Sequence, residues 1–364
     1  MNAWRSEQVE TLGRRRTAAG GFDVRARAPL RLGLAGGGTD LSPYCDQFGG
    51  AVLNVTIDRF AFAHVAPSAD GAVVFRAHDL DVHERHALGE RLSLDQGLVL
   101  HRAVYDHIVE TYLDGEAPAL TVSTAIDAPA GSGLGSSSAL VVALVEAFRL
   151  ALDLPLGPGD VARLAFLIER RKLGLAGGRQ DQYAAAFGGV NFIEFLPGDK
   201  VLVSPLRVPR AYLNEFESSL VICFTGQSRH SETIIKEQID GLVGMNAETL
   251  ESMHQLKADA ALMREALLRG DMRDMAAILM RSWTAKKRTA RGVATDAVER
   301  LFDLAIAEGA WGGKVSGAGG GGFLMFFTDP ENRHHLISRL NAAGGQASSV
   351  KVTFEGAEAW SVPR

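Results

Sequence analysis

The sequence predicts an α+β protein built as two lobes, and three observations carry that expectation. Strand-like runs come in groups instead of alternating strictly with helices. Three glycine clusters, within residues 36–38, 131–135 and 317–322, each adjoin a strand-like run. Long helical periodicity is concentrated over about residues 230–308. A chain of 364 residues also exceeds what one core usually organises, roughly 250–300 residues.

Residues 1–22 read as a polar helical extension ending at Gly20-Gly21. Residues 23–34 (DVRARAPLRLGL) alternate like a strand and run into Gly36-Gly37-Gly38. Residues 51–65 and 71–78 read as strands, with Ala72-Val73-Val74-Phe75 the clearest run. Residues 97–113 have helical periodicity, and 119–126 (ALTVSTAI) alternate again. Helices are expected from Ser136 to about Leu152 and from about Gly159 to Leu173. Strand patterning returns over 187–205, with Pro197-Gly198 as a turn. Pro205 and Pro209 then interrupt the pattern, which places the lobes at 23–205 and 206–364. Residues 217–225 read as a buried strand, and the last core strand is expected to begin at Lys314.

Composition narrows the function. Hydrophobic residues make up 46% of the chain, charged residues 22%, and the net charge is -5. A nucleic-acid partner would call for a basic domain, so none is expected. The run Arg14-Arg15-Arg16 reads as a solvated helix face. No membrane span is expected, because the longest apolar stretch, Leu140 to Leu152, carries Glu146 and Arg149. Cys45 and Cys223 are the only cysteines and form no CxxC element, which fits a reducing compartment and excludes a cysteine zinc site. The N-terminal stretch lacks the apolar core of a signal peptide, so a cytoplasmic location is expected.

Four segments carry chemistry. PAGSGLGSSSALVVALVEAF, residues 129–148, reads strand, glycine-rich loop, serine cluster, helix. Glycines let backbone approach a bulky anion, and a helix start offers free N–H groups and the positive end of its dipole. No Lys follows the last glycine, so this is not a Walker A loop. Taken alone, it also fits a structural loop capped by serine. APLRLGLAGGGTDL, residues 28–41, sets Arg31 before a glycine turn and Asp40 after it. Arg31 can pair with phosphate oxygens and Asp40 can accept from sugar hydroxyls. By themselves they equally fit a surface arginine and a turn-capping aspartate. In KVSGAGGGGFLMFF, residues 314–327, the consecutive glycines point to close approach of another backbone or a ligand. In GLAGGRQDQYAAAFGG, residues 174–189, Asp181 follows Glu169 by twelve residues. The two can serve as base and metal ligand, or stand as two surface carboxylates.

Together these segments resemble the GHMP kinase superfamily over roughly residues 23–330. Within it, APLRLGLAGGGTDL, GGRQDQ, TGQSRHSETI and GGKVSGAGGGGFLMFF are most similar to the heptose 7-phosphate kinase group, with fucose kinase domains close. The resemblance implies an N-terminal lobe of the ribosomal-protein-S5-domain-2 type, an α+β C-terminal lobe, and an active site in the cleft between them. It implies ATP and Mg2+, with the phosphates held by Gly131, Ser132, Gly133, Leu134, Gly135, Ser136, Ser137 and Ser138. By the same carry-over Ser137 and Glu169 hold the metal, with Ser138 an alternative to Ser137. Asp181 is the implied base, Arg31 the implied cation at the transferring group, and Asp40 the sugar-binding aspartate.

The turn residues Gly37, Gly38 and Thr39, with Gly319, complete the expected sugar side. Galactokinases have a Glu-His pair where this chain has Gly37-Gly38, which argues against galactose. The implied reaction is phosphorylation at C1 of D-glycero-D-manno-heptose 7-phosphate. Its distal phosphate would need a cation, for which Arg229, Arg179 and Lys314 are the candidates. A fucose 1-kinase, a catalytically dead sugar and ATP sensor, and a mevalonate diphosphate decarboxylase are the rival readings. A homodimer is left open.

Overall fold

The computed structural model describes residues 22–227 and 231–362. The helical extension expected over 1–22 therefore lies, Phe22 apart, outside the described residues, as does Arg229.

β1 (Val24–Ala35) alternates at its start and is buried on both faces from Ala28 onward. After α1 (Tyr44–Phe48) the chain enters β2 (Gly50–Pro67), then β3 (Val73–Ala77) and β4 (Val82–His86). α2 (Val99–Tyr112), β5 (Leu120–Ile126) and α3 (Ser136–Ala151) follow. α3 is apolar nearly all round and accordingly lies buried against β1 and β2. Its Glu146 is held by Arg149 at 2.7 Å. α4 (Pro158–Phe166) passes into a π-helical stretch, Leu167–Lys172, before α5 (Gln180–Phe187), β6 (Val190–Leu196) and β7 (Lys200–Pro205).

The second half begins with α6 (Arg210–Ser219) and β8 (Leu220–Phe224). Four helices follow: α7 (Ser231–Val243), α8 (Ala247–Arg269), α9 (Met272–Lys287) and α10 (Asp296–Ala307). Asn246, Asp271 and Thr295 cap α8, α9 and α10 by accepting from the first-turn amides of Thr249, Asp274 and Val298. β9 (Ala310–Val315), β10 (Phe323–Thr328), α11 (Arg333–Ala342), β11 (Gln346–Ser348) and β12 (Glu358–Ser361) complete the chain.

Two sheets result. The first has the order β12-β1-β2-β5-β3-β4, with β6 beside β2 and β7 beside β6. Among the described residues only the β3–β5 pair in it is parallel. The second, β11-β8-β10-β9, is antiparallel throughout. The C-terminal strand thus returns to the first sheet, pairing Val24 with Ser361 and Arg27 with Glu358.

Local expectations needed three corrections and one addition. α6 occupies the start of the strand expected over 217–225, because Leu213 and Phe216 bury one helical face before Leu220 begins the strand. The helix expected over 159–173 widens to a π-helix at Leu167. The GGRQDQ segment opens α5, which polarity had masked. β9 begins at Ala310, not Lys314, and the third glycine cluster is the connection from β9 to β10.

Candidate active site

Backbone approach assembles the site. Gly133 and Gly317 pack so closely that a Cβ on Gly317 would lie 2.8 Å from the Gly133 Cα. Phe323 N–H donates to the Ser132 carbonyl at 2.9 Å, and Ser316 Oγ–H to the Gly133 carbonyl at 3.0 Å. The third glycine cluster therefore serves chiefly to seat the first loop. Gly322 likewise packs on the Ser132 carbonyl of that loop, while Gly319 lies against Val293 and Gly321 against Gln227. Gly319, expected at the sugar, does not line the cleft, whereas Gly317 and Ala318 do.

The cleft has a volume of about 430 Å3. One wall is the start of α3. Gly135 takes a left-handed conformation (φ 73°) ahead of it, and among the described residues no side chain caps the helix. Its first amides are thus available to an anion. Gly131, Gly133, Gly135, Ser136, Ser137 and Ser138 all line this wall. Leu134 and Ser132 do not: Leu134 joins the hydrophobic core, and Ser132 is fully buried with its hydroxyl unpartnered among the described residues.

Arg31 and Asp181 meet across the cleft floor. Arg31 Nε and Nη2 both reach Asp181 Oδ1, at 2.8 and 2.6 Å. Arg31 Nη1 donates to the Gly133 carbonyl at 2.5 Å and to Ser316 Oγ at 3.4 Å. Asp181 Oδ2 makes no hydrogen bond among the described residues. Gly135 packs against this carboxylate, since a Cβ there would lie 3.2 Å from Asp181 Cγ. The guanidinium thus fixes one oxygen of the carboxylate and leaves the other available.

Glu169 is fully buried on the π-helical stretch, a geometry enriched at functional sites. Ser137 Oγ–H donates to its Oε1 at 2.8 Å, and Gln182 Nε2 to its Oε2 at 2.5 Å. Ser138 Oγ accepts from Gln182 Nε2 at 3.0 Å and from Arg170 at 3.5 Å. A serine hydroxyl against a carboxylate at the phosphate loop is a hard-oxygen donor pair, which fits Mg2+.

Several expected sugar contacts are occupied by the fold. The carboxylate of Asp40 accepts from Gly38 N and Gln180 Nε2 on Oδ1, and from Arg179 N and Gln180 N on Oδ2, all at 2.9–3.1 Å. Four donors fill its acceptor sites, so Asp40 locks the glycine turn to the start of α5 instead of offering a free oxygen to a sugar. Thr39 is likewise internal, bonded to Gly36 O and Ala51 O. The side chain of Arg179 is held outside the cleft by Asp199 at 2.8 Å and Asp46 at 3.3 Å. Gly37 and Gly38 do line the cleft, as do Gln180 and Lys314.

Lys286, on α9, was not expected there. It is 3% exposed, lines the cleft, and burial lowers its pKa to about 8. Asp40 and Asp181 oppose that shift, while Arg31 adds to it. Burial also carries the Lys314 pKa well below the usual lysine range. The signal in the sequence was a charge on an apolar stripe: Met275, Ile278, Leu279 and Ser282 put Lys286 on the buried face of α9.

Comparisons with known proteins bear on the family. The family model of the GHMP kinases N terminal domain matches residues 99–189, and that of the GHMP kinases C terminal matches residues 263–346. The chain is 42% identical to a D-glycero-alpha-D-manno-heptose 7-phosphate kinase of Campylobacter jejuni, over 93% of this chain and 99% of that one. It is 28% identical to an L-fucokinase/L-fucose-1-P guanylyltransferase of Bacteroides fragilis, over 91% of this chain but 37% of that one. Its structure is similar to that of a D-glycero-D-manno-heptose 1-phosphate kinase from Bacteroides thetaiotaomicron, with TM-score 0.80 and 39% identity over 94% of this chain and 100% of that one. A galactokinase of Lactococcus lactis shares the fold at TM-score 0.73 and 16% identity, covering 93% of this chain and 95% of that one. The two family models and the 42% identity over nearly the whole chain show that the chain belongs to the GHMP kinase family.

Proposed function

We propose that this protein is an ATP-dependent sugar kinase. It transfers the γ-phosphoryl group of ATP to the anomeric C1 hydroxyl of D-glycero-D-manno-heptose 7-phosphate. The 1,7-bisphosphate formed would feed nucleotide-activated heptose synthesis for surface polysaccharide in the cytoplasm. The observation that carries this reading is the half-committed carboxylate of Asp181, fixed by Arg31 beside the uncapped start of α3. The identity to the Campylobacter jejuni heptose 7-phosphate kinase supports the choice of sugar. Residues 23–205 and 206–364 would act as the two lobes, with β12 returned to the first.

The ATP phosphates would lie along Gly131, Gly133, Gly135 and the first amides of α3, where glycine lets the backbone close on an anion. Ser137 and Glu169 would hold Mg2+, which when bound neutralises charge on the β- and γ-phosphates. The C1 hydroxyl would donate to Asp181 Oδ2, and the carboxylate would take its proton as the oxygen attacks the γ-phosphorus. Arg31 keeps that carboxylate oriented. Because its N–H groups already serve Asp181, Gly133 and Ser316, it acts through Asp181 more than on the transferring group. Positioning and fixed charge would supply most of the rate.

A coupled ADP-release screen of heptose 7-phosphate, fucose and mannose tests the proposal. Highest kcat/KM with heptose 7-phosphate is expected. A higher value with fucose would redirect the substrate, and ATP binding without turnover on any sugar would indicate a sensor.

A further inference from the structure

We propose that Lys286 and Lys314 form the subsite that binds the phosphate already carried by the acceptor sugar; the inference rests on the kinase reading above. Both side chains line the cleft and are almost fully buried, at 3% and 4% exposure. Neither ammonium donates a hydrogen bond or forms an ion pair among the described residues. The carboxylates around them are already engaged. Asp40 is filled by four donors, and Asp181 Oδ1 by Arg31. Asp259 takes Arg281 at 2.6 Å, Ser282 at 2.7 Å and Gln255 at 2.8 Å.

Two buried lysines without a direct ion pair are unfavourable as cations, since Asp40 and Asp181 offset the burial of Lys286, and Asp259 that of Lys314, only in part; a ligand anion would complete the compensation. A phosphate monoester, with nearly two negative charges and three acceptor oxygens, has the matching chemistry. The lowered pKa of Lys286 has the direction expected of a cation awaiting its anion. Position favours the acceptor over ATP. A Cβ on Gly37 would lie 3.8 Å from Lys286 Nζ and 3.7 Å from Gln180 Nε2, which puts Lys286 at the glycine turn. Lys314, near the end of β9, lies two residues before Ser316, whose hydroxyl oxygen accepts from Arg31 at 3.4 Å. Among the other expected cations, Arg179 is held outside the cleft by Asp199 and Asp46.

The test compares the parent with Lys286→Met, Lys314→Met and Lys286→Arg. Steady-state kinetics are measured with heptose 7-phosphate, unphosphorylated heptose and ATP, and melting temperatures with ADP establish folding. The parent is expected to prefer the 7-phosphate. Each methionine variant should raise its KM on the order of 100-fold, the scale of losing a buried charge contact. The KM for ATP should move far less, the preference for phosphorylated over free heptose should collapse, and Lys286→Arg should restore part of it. A fall in kcat with the KM for the sugar phosphate unchanged would overturn the subsite, because the ammoniums would then act on the transferring group. So would a preference for the 7-phosphate that survives both methionine variants. A parent that phosphorylates neither heptose sinks the choice of heptose 7-phosphate as substrate, and this subsite with it.

Discussion

Lys286→Met should stabilise the ligand-free protein at neutral pH. The side chain is 3% exposed, and its pKa falls from 10.5 to about 8 through burial. That gap corresponds to roughly 3 kcal/mol of preference for the neutral form. Between the two values the unfolded chain holds a proton that the folded chain lacks, so the parent gains stability as pH rises from about 8 to 10.5. Below about pH 8 both states are protonated and the full cost of the buried charge is present. Methionine removes the charge while keeping most of the volume. At pH 7 the variant should melt about 4 °C above the parent if a chain of this length unfolds as one unit. By pH 10 most of that difference should vanish. Differential scanning calorimetry without ligand, at both pH values, checks the expectation. Equal or lower melting of the variant at pH 7, or a gap indifferent to pH, would show that the ammonium has its counter-charge in the free protein. Saturating heptose 7-phosphate should narrow or reverse the gap, since only the parent has the cation to bind it.

Three further outcomes follow from the site. Asp181→Asn should lower kcat by about 100-fold or more while calorimetry shows ATP affinity retained, the range for losing a general base; near-normal turnover would remove Asp181 from that role. Gly135→Val should weaken ATP binding more than sugar binding and also depress kcat, because the added side chain meets a left-handed backbone (φ 73°) and the Asp181 carboxylate 3.2 Å away; unchanged ATP affinity by titration calorimetry would place the phosphates elsewhere. Asp40→Ala should cost about 2–4 kcal/mol in chemical denaturation by orphaning the amides of Gly38, Arg179 and Gln180, and should raise the KM for sugar through a loosened turn. A stability equal to the parent's would mean that solvent replaces those bonds freely.

The glycine clusters were legible because each breaks a local rule: glycine is poor in strands and helices, and three clusters beside strands need a reason. The long helices after residue 230 were legible from apolar periodicity. What stayed hidden depended on tertiary placement. α5 opens on the polar run Gln180, Asp181 and Gln182 just after Arg179, so no helix was read there, and only Asp40 accepting from the amides of Arg179 and Gln180 reveals its start. Asp40 itself looked like a free acceptor, because no local pattern reveals four donors arriving from two segments. Lys286 and Lys287 are neighbours of identical type, yet Lys287 faces outward to Glu299 at 3.3 Å while Lys286 faces the cleft. The third glycine cluster was read as meeting backbone or ligand, and the backbone of the first loop proved to be its main partner.

The return of β12 to β1 has a mechanical side. The two strands run antiparallel with Val24 opposite Ser361, so tension applied at those residues would open the ladder like a zip, one rung at a time, instead of shearing it. Resistance to such a pull should be low at first and rise only when β1 is drawn from β2, where the register spans Val24↔Val65 to Ala35↔Leu53. The same arrangement makes a cut after Pro205 a poor way to divide the molecule. A fragment ending there would lose the strand that covers the outer side of β1, and a bare strand margin invites pairing with a neighbouring copy.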